Sequence, residues 1–306
     1  TPLRIPRNIS RRTLLGIAVE ADIAMSDARV APESATSFGY PRSAVAADLA
    51  AIAVAALVLV GVEFLLPAAV HAQLAFDHAA LDPASLLTAA YVHANLGHLL
   101  SNLGGYVSLA VVTYLVCLHA DRRAWFRRTL PVFLLVLPVT VNLTSYVVLE
   151  TRFSGASPVS RGFSGVVAGF GGFLLVAVAV HLRRSYSRET VFFVGQFAVL
   201  LLLGELLWIY ADGVGLLEGG AVGTGLALAV FGIVSRARGR TFGDAYYQQV
   251  GFDLLYVALV FALLVWLVYG LFPADPTADG TFTNIFAHGA GFVEGGLLAA
   301  MTLVSG

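Results

Sequence analysis

Lysine is absent from this 306-residue chain, cysteine occurs once, and charge of either sign is scarce. Asp, Glu, Lys and Arg together make up 12% of the residues, far below the roughly 25% usual in a soluble domain. So few charges cannot solvate a water-facing surface, which excludes a soluble enzyme. The lone thiol, Cys117, cannot close an intrachain disulfide, which excludes a disulfide scaffold. The 18 basic and 19 acidic residues leave a formal net charge of -1, without the basic excess that a nucleic-acid partner requires. Every basic residue is arginine, a mark of GC-rich coding rather than of function.

What is abundant is apolar sequence. Hydrophobic residues account for 58% of the chain and mean hydropathy is +0.83. Runs at about 46–66, 96–118, 129–149, 163–182, 190–211, 219–235, 250–272 and 284–304 predict eight spans. Each is near the ~20 residues that cross ~30 Å of hydrocarbon as a helix. The sixth is short and rich in glycine (Gly219, Gly220, Gly223, Gly225, Gly232). The fold class expected is an all-α polytopic membrane protein with the lipid bilayer as its solvent.

Arginine placement predicts orientation. With the N-terminus inside, segments 1–45, 119–128, 183–189 and 236–249 are cytoplasmic and hold 6, 4, 3 and 3 arginines, 16 of the 18. Only Arg152 and Arg161 fall on the outer side, beside Asp77, Asp82, Asp212, Glu218, Asp275 and Asp279. Arginine bias in short loops sets the direction of insertion, so the expected location is the cell membrane, multi-pass, with a cytoplasmic N-terminus. Residues 1–45 read as a disordered cytoplasmic tail, and 46–306 as one membrane domain. Within the tail, Ser10-Arg11-Arg12-Thr13-Leu14-Leu15 looks like a twin-arginine signal, but Glu20 and Asp22 interrupt its apolar stretch. Initiation at Met25-Ser26-Asp27 would leave residues 1–24 untranslated.

Polar residues inside a membrane are functional candidates by default, and here they form three groups. His93, His98 and Asn102 run into the second span, with His98 and Asn102 four apart on one helix face. A metal pair or an interfacial histidine cluster is the plainer reading, although no HExxH spacing accompanies them. Gly162-Phe163-Ser164-Gly165 opens the fourth span; flanking glycines leave the hydroxyl uncovered, while a serine there can also serve only as an N-cap. His288, Gly291 and Gly295 lie at i, i+3 and i+7 at the start of the last span. The fourth span carries a matching stripe of Gly165, Gly169 and Gly172. Small-residue stripes let two helix backbones meet in lipid, and pairing these two brings Ser164 beside His288; packing alone is the simpler use. All three groups sit about one turn inside the outer end of spans that run in the same direction.

This combination resembles the rhomboid family of intramembrane serine proteases, over roughly residues 85–305. The resemblance implies a rhomboid-like helical bundle with a six-helix core plus two further helices. It implies Ser164 as nucleophile, His288 as general base, and an oxyanion hole from His98, Asn102 and the Ser164 N–H. His93, Gly162, Gly165, Gly169, Gly291 and Gly295 would support the site, with His93 lining a route for water. The implied function is serine endopeptidase activity on transmembrane protein substrates near the outer membrane face, with no cofactor, no metal and no nucleic acid.

Three features depart from the family. Two spans, about 219–272, intervene before the His288 span. They preserve parity only if both cross fully. The loop 67–92 lacks the family's Trp-Arg pair, and Ala168 stands where many members stack an aromatic on the histidine. A rhomboid-like protein that binds membrane clients without cleaving them is the alternative, and a channel or transporter using His and Glu residues for protons a third. Glu205 and Glu294 are further in-membrane carboxylates that either pair within the bundle or stay protonated.

Overall fold

A computed structural model of the chain describes residues 36–152, 159–211, 213–237, 244–276 and 283–305. The Arg11-Arg12 pair, Met25 and the expected disorder of residues 1–35 lie outside them. The chain divides into two units, Thr1–Ala47 and Asp48–Gly306. The described part of the first holds a short hairpin, β1 (Thr36–Ser37) with β2 (Tyr40–Pro41), and the opening of helix α1 (Arg42–Leu65). That helix begins a turn before the apolar run, inside the stretch expected to be irregular.

The second unit is helical. After α1 come α2 (Ala68–Leu74), strand β3 (Phe76–Asp77), and α3 (Pro83–Thr88), which runs into a 3-10 turn at Ala89–Tyr91. Then follow α4 (Leu96–His119), α5 (Arg123–Leu135), α6 (Leu137–Arg152), β4 (Val159–Ser160) and α7 (Ser164–Leu182). The series closes with α8 (Arg188–Tyr210), α9 (Leu216–Ala237), α10 (Asp244–Leu271) and α11 (Ile285–Val304). Seven of the described helices are long and apolar enough to cross a bilayer, and α5 with α6 makes an eighth span if the bent pair is counted as one. The protein is an all-α polytopic membrane protein.

Local chemistry sets the helix ends. Asp82 caps α3 by accepting from the N–H groups of Ala84 and Ser85, with Pro83 at the first position. Asn95 caps α4 through the His98 N–H at 2.8 Å, and Ser187 caps α8 through Thr190. The third span is not straight: α5 and α6 meet at 47°. Pro138 has no N–H to offer the carbonyl four residues back, Leu134. Tyr91 donates its hydroxyl to that freed carbonyl at 2.5 Å instead. The sixth expected span is a complete helix, α9, of 22 residues, about 33 Å long.

α7 is the centre of the unit: 72% of its apolar window is buried, against 11–44% for the other spanning helices. It is apolar all round, as a helix enclosed by other helices must be. Its most extensive neighbour is α11, and α4 and α10 also pack against it. Between α7 and α11 the backbones touch: a methyl group on Gly291 would overlap the Gly165 carbonyl, and one on Gly295 would overlap Gly169. A ring stack of Trp125, Phe126, Phe133, Phe170 and Phe173 fills the space between α5 and α7. The Trp125 indole donates to the Ala299 carbonyl of α11 at 2.8 Å. Buried Asp48 joins α1 to α4 and α5, accepting from Tyr114 at 2.8 Å and from Arg123 Nε at 2.6 Å.

The two added spans have distinct places. α9 packs along α8, where Leu200 and Phe193 fill the space beside Gly225 and Gly232. α10 lies against α7 and α8, with Leu267 over Gly171.

Candidate active site

Ser164 is the first residue of α7, and His288 lies one turn into α11. The glycine contact between those helices sets the two side chains face to face, and Ser164 Oγ and His288 Nε2 are 2.8 Å apart. Both are buried, at 9% and 5% exposure. The other ring nitrogen, Nδ1, is 2.5 Å from the carbonyl oxygen of Leu271, the last residue of α10. A carbonyl only accepts, so Nδ1 carries the proton and Nε2 of the neutral ring is left to accept from the serine hydroxyl. Leu271 can serve because the last carbonyls of a helix have no partner within it. Phe272, the next residue, places its ring edge-on to His288 with centroids 5.9 Å apart.

The segment before Ser164 is shaped by Gly162, whose φ of +119° lies in the region that side chains rarely adopt. A Cβ there would collide with the His98 ring and crowd Asn102 Nδ2. Gly162 donates its N–H to the Ala89 carbonyl at 2.9 Å. Phe163 is fully buried against Tyr91 and Tyr106. The turn is thereby held on both sides of the glycine. Unlike α3, α4, α8 and α11, α7 has no side-chain cap, which leaves the N–H groups of Ser164 and Gly165, both lining the cavity, without one.

Asn102 is buried at 3% exposure, and its Nδ2 has no hydrogen-bond partner among the described residues. An unsatisfied buried donor calls for an explanation; this one lies beside Gly162, close to Ser164 and His98. These residues line a cavity of about 620 Å³ that includes His98, Asn102, Ser160, Arg161, Gly162, Ser164, Gly165, Leu271 and His288. His93 is not among the lining residues. It packs edge-on behind His98 at 5.2 Å between rings, and neither of its nitrogens has a partner among the described residues.

A second polar network braces the rim. His78 Nε2 and Ser160 Oγ are 2.8 Å apart, and Asn284 Nδ2 donates to Ser145 Oγ at 2.6 Å and to Ser160 Oγ at 3.1 Å. Asn284 also caps α11 through the Ala287 N–H. Pairing of β3 with β4 sets Phe76 opposite Ser160 and joins the segment between α2 and α3 to the segment before α7. Burial pushes the His78 imidazole below its ordinary value, against the opposing pull of Asp77 and Glu150.

Of the residues singled out in the sequence, Ser164, His288, His98, Asn102 and Gly162 meet at this cavity, and Gly165, Gly169, Gly291 and Gly295 form the helix contact beneath it. Glu294 lies away from His288 and accepts from Thr144 Oγ1 of α6 at 2.6 Å. Glu205 leaves one oxygen buried and without a partner among the described residues. No cluster of three or more metal-ligating side chains occurs among the described residues. Sequence reading missed the Leu271 carbonyl, Phe272 and the His78 network. A backbone acceptor has no residue signature, and His78 stands 82 positions from its serine.

The site therefore holds a hydroxyl, an imidazole of defined tautomer, and an amide donor without a partner among the described residues, around one open cavity. That set suits attack on a carbonyl carbon with charge building on its oxygen. No family model, curated protein or solved structure matches the chain.

Proposed function

We propose that this protein is a rhomboid-like intramembrane serine endopeptidase that cleaves transmembrane protein substrates near the outer face of the cell membrane. The observation that carries the reading is the 2.8 Å approach of Ser164 Oγ to His288 Nε2, with Nδ1 engaged by Leu271. As Ser164 Oγ attacks the substrate carbonyl, His288 Nε2 takes its proton. The oxyanion is received by the Ser164 N–H, Asn102 Nδ2 and His98. His288 then returns the proton to the leaving amine, and water hydrolyses the acyl-enzyme by the same route.

A serine–histidine pair needs something to hold the imidazole in the right tautomer, a task an aspartate performs in the Ser-His-Asp arrangement. Here a helix-terminal carbonyl fills that role without placing a buried charge in the bilayer, where it would be unfavourable. Sixteen of 18 arginines on alternate loops support a cytoplasmic N-terminus and a site opening outward.

Fluorophosphonate labelling of the purified protein, with Ser164→Ala and His288→Ala beside it, tests the proposal. Labelling of the wild type that is lost in both variants is expected. A folded wild type that does not label would sink the protease reading and favour client binding without cleavage.

A further inference from the structure

Arg161 stands in the wall of the cavity three residues before Ser164, and among the described residues it is the only one lining that cavity with a permanent charge. Its guanidinium makes no hydrogen bond or ion pair among the described residues. Elsewhere in the protein Arg123 and Arg127 engage Asp48, and Arg128 and Arg184 reach backbone carbonyls. It is also one of only two arginines on the side that the arginine bias assigns to the exterior. The placement of its backbone is firm: Ser160 is held in β4 by Phe76, and Gly162 is bonded to Ala89. An exposed fork of donors, without a partner among the described residues, thus projects from a fixed stretch of backbone three residues before the nucleophile.

We propose that Arg161 is an anion-binding subsite that selects transmembrane substrates bearing an Asp or Glu close to the scissile bond. This rests on the protease reading above. A guanidinium binds a carboxylate through two parallel hydrogen bonds. Arg161 and Ser164 are separated by at most about 10 Å of chain. An extended substrate covers that distance in three residues, so the acidic position lies within about three residues of the bond cut. Among the described residues the rest of the lining carries no permanent charge, so none of them repels the carboxylate by a fixed negative charge.

The test uses the full chain in nanodiscs of phosphatidylcholine. A panel of single-span reporters carries a Gly/Ala juxtamembrane segment, with one Asp or its Asn twin walked through three positions on each side of the central bond. Cleavage is read by mass spectrometry, with Ser164→Ala as the blank. The expected result is that at least one Asp reporter is cut about tenfold faster than its Asn twin, as one charge-assisted contact implies. That preference should vanish in Arg161→Gln and invert toward a Lys reporter in Arg161→Glu, with each cleavage rate divided by that variant's own rate of fluorophosphonate labelling. A labelled enzyme that cuts Asp and Asn twins alike, or cuts no Asp reporter, overturns the proposal. It is equally overturned if Asp confers no advantage and added phosphatidylglycerol alters cleavage by wild type but not by Arg161→Gln. An anionic headgroup would then be the occupant. Absence of labelling in the wild type would instead defeat the protease reading itself.

Discussion

The imidazole of His288 is gripped from behind by Leu271, whose carbonyl oxygen lies 2.5 Å from Nδ1 at the point where α10 ends. The helix that looked supernumerary in the sequence thus finishes against the ring that faces Ser164. Its next residue, Phe272, sets its ring roughly perpendicular to the same imidazole, in a structure where Ala168 provides no aromatic from α7.

Phe272→Ala should leave the protein folded and slow fluorophosphonate labelling by about two- to tenfold, the range an aromatic contact supports. Because the ring orients rather than reacts, the pH–rate profile should shift along with the rate, and Phe272→Tyr should restore both. An unchanged profile would mean that Phe272 merely fills space.

Asn102→Ala removes an unpaired donor without removing a hydrogen bond that the described residues make. Its expected signature is a fall in kcat of about 10²–10³-fold with little change in KM or melting temperature. Equal loss of stability and activity would point to a structural amide.

Replacing Gly295 with valine forces a branched side chain into the Gly169 backbone. The expected loss is at least about 1–3 kcal/mol of stability, seen as a lower melting temperature in detergent. Labelling should be lost as well, because the same contact sets the distance between Ser164 and His288.

His78 contributes to the pH dependence of stability. Buried beside Ser160, it takes up a proton at a lower pH when folded than the value of about 6.5 that holds when unfolded. Below about pH 6.5 the unfolded chain therefore binds the extra proton, and stability present at neutral pH is lost as pH falls through the lowered folded value. Thermal melts across that range should show a slope that flattens in His78→Gln. A variant melting with the wild-type slope would refute the assignment.

Much of the site was legible because membrane chemistry makes polar residues conspicuous. Ser164, His98, Asn102 and His288 stand out against apolar runs, and the glycine stripes on α7 and α11 implied their meeting. The bend between α5 and α6 was less legible. Pro138 signals a break, but the angle and the rescue of the Leu134 carbonyl by Tyr91 depend on what packs there. The His78–Ser160–Asn284 network was invisible, since each member alone is an ordinary loop or cap residue.

By itself, the sequence determined that this chain lives in a bilayer as a helical bundle. Hydrocarbon leaves no other way to satisfy the backbone of so many long uncharged runs. It also determined which spans could touch most closely, because only glycine permits backbones to meet. The tertiary structure alone decided how the imidazole is oriented, since a helix-end carbonyl becomes an acceptor only when the fold brings it to a donor. It likewise decided that Arg161 stands at the cavity wall without a partner among the described residues, because pairing is a property of neighbours in space and not of order along the chain.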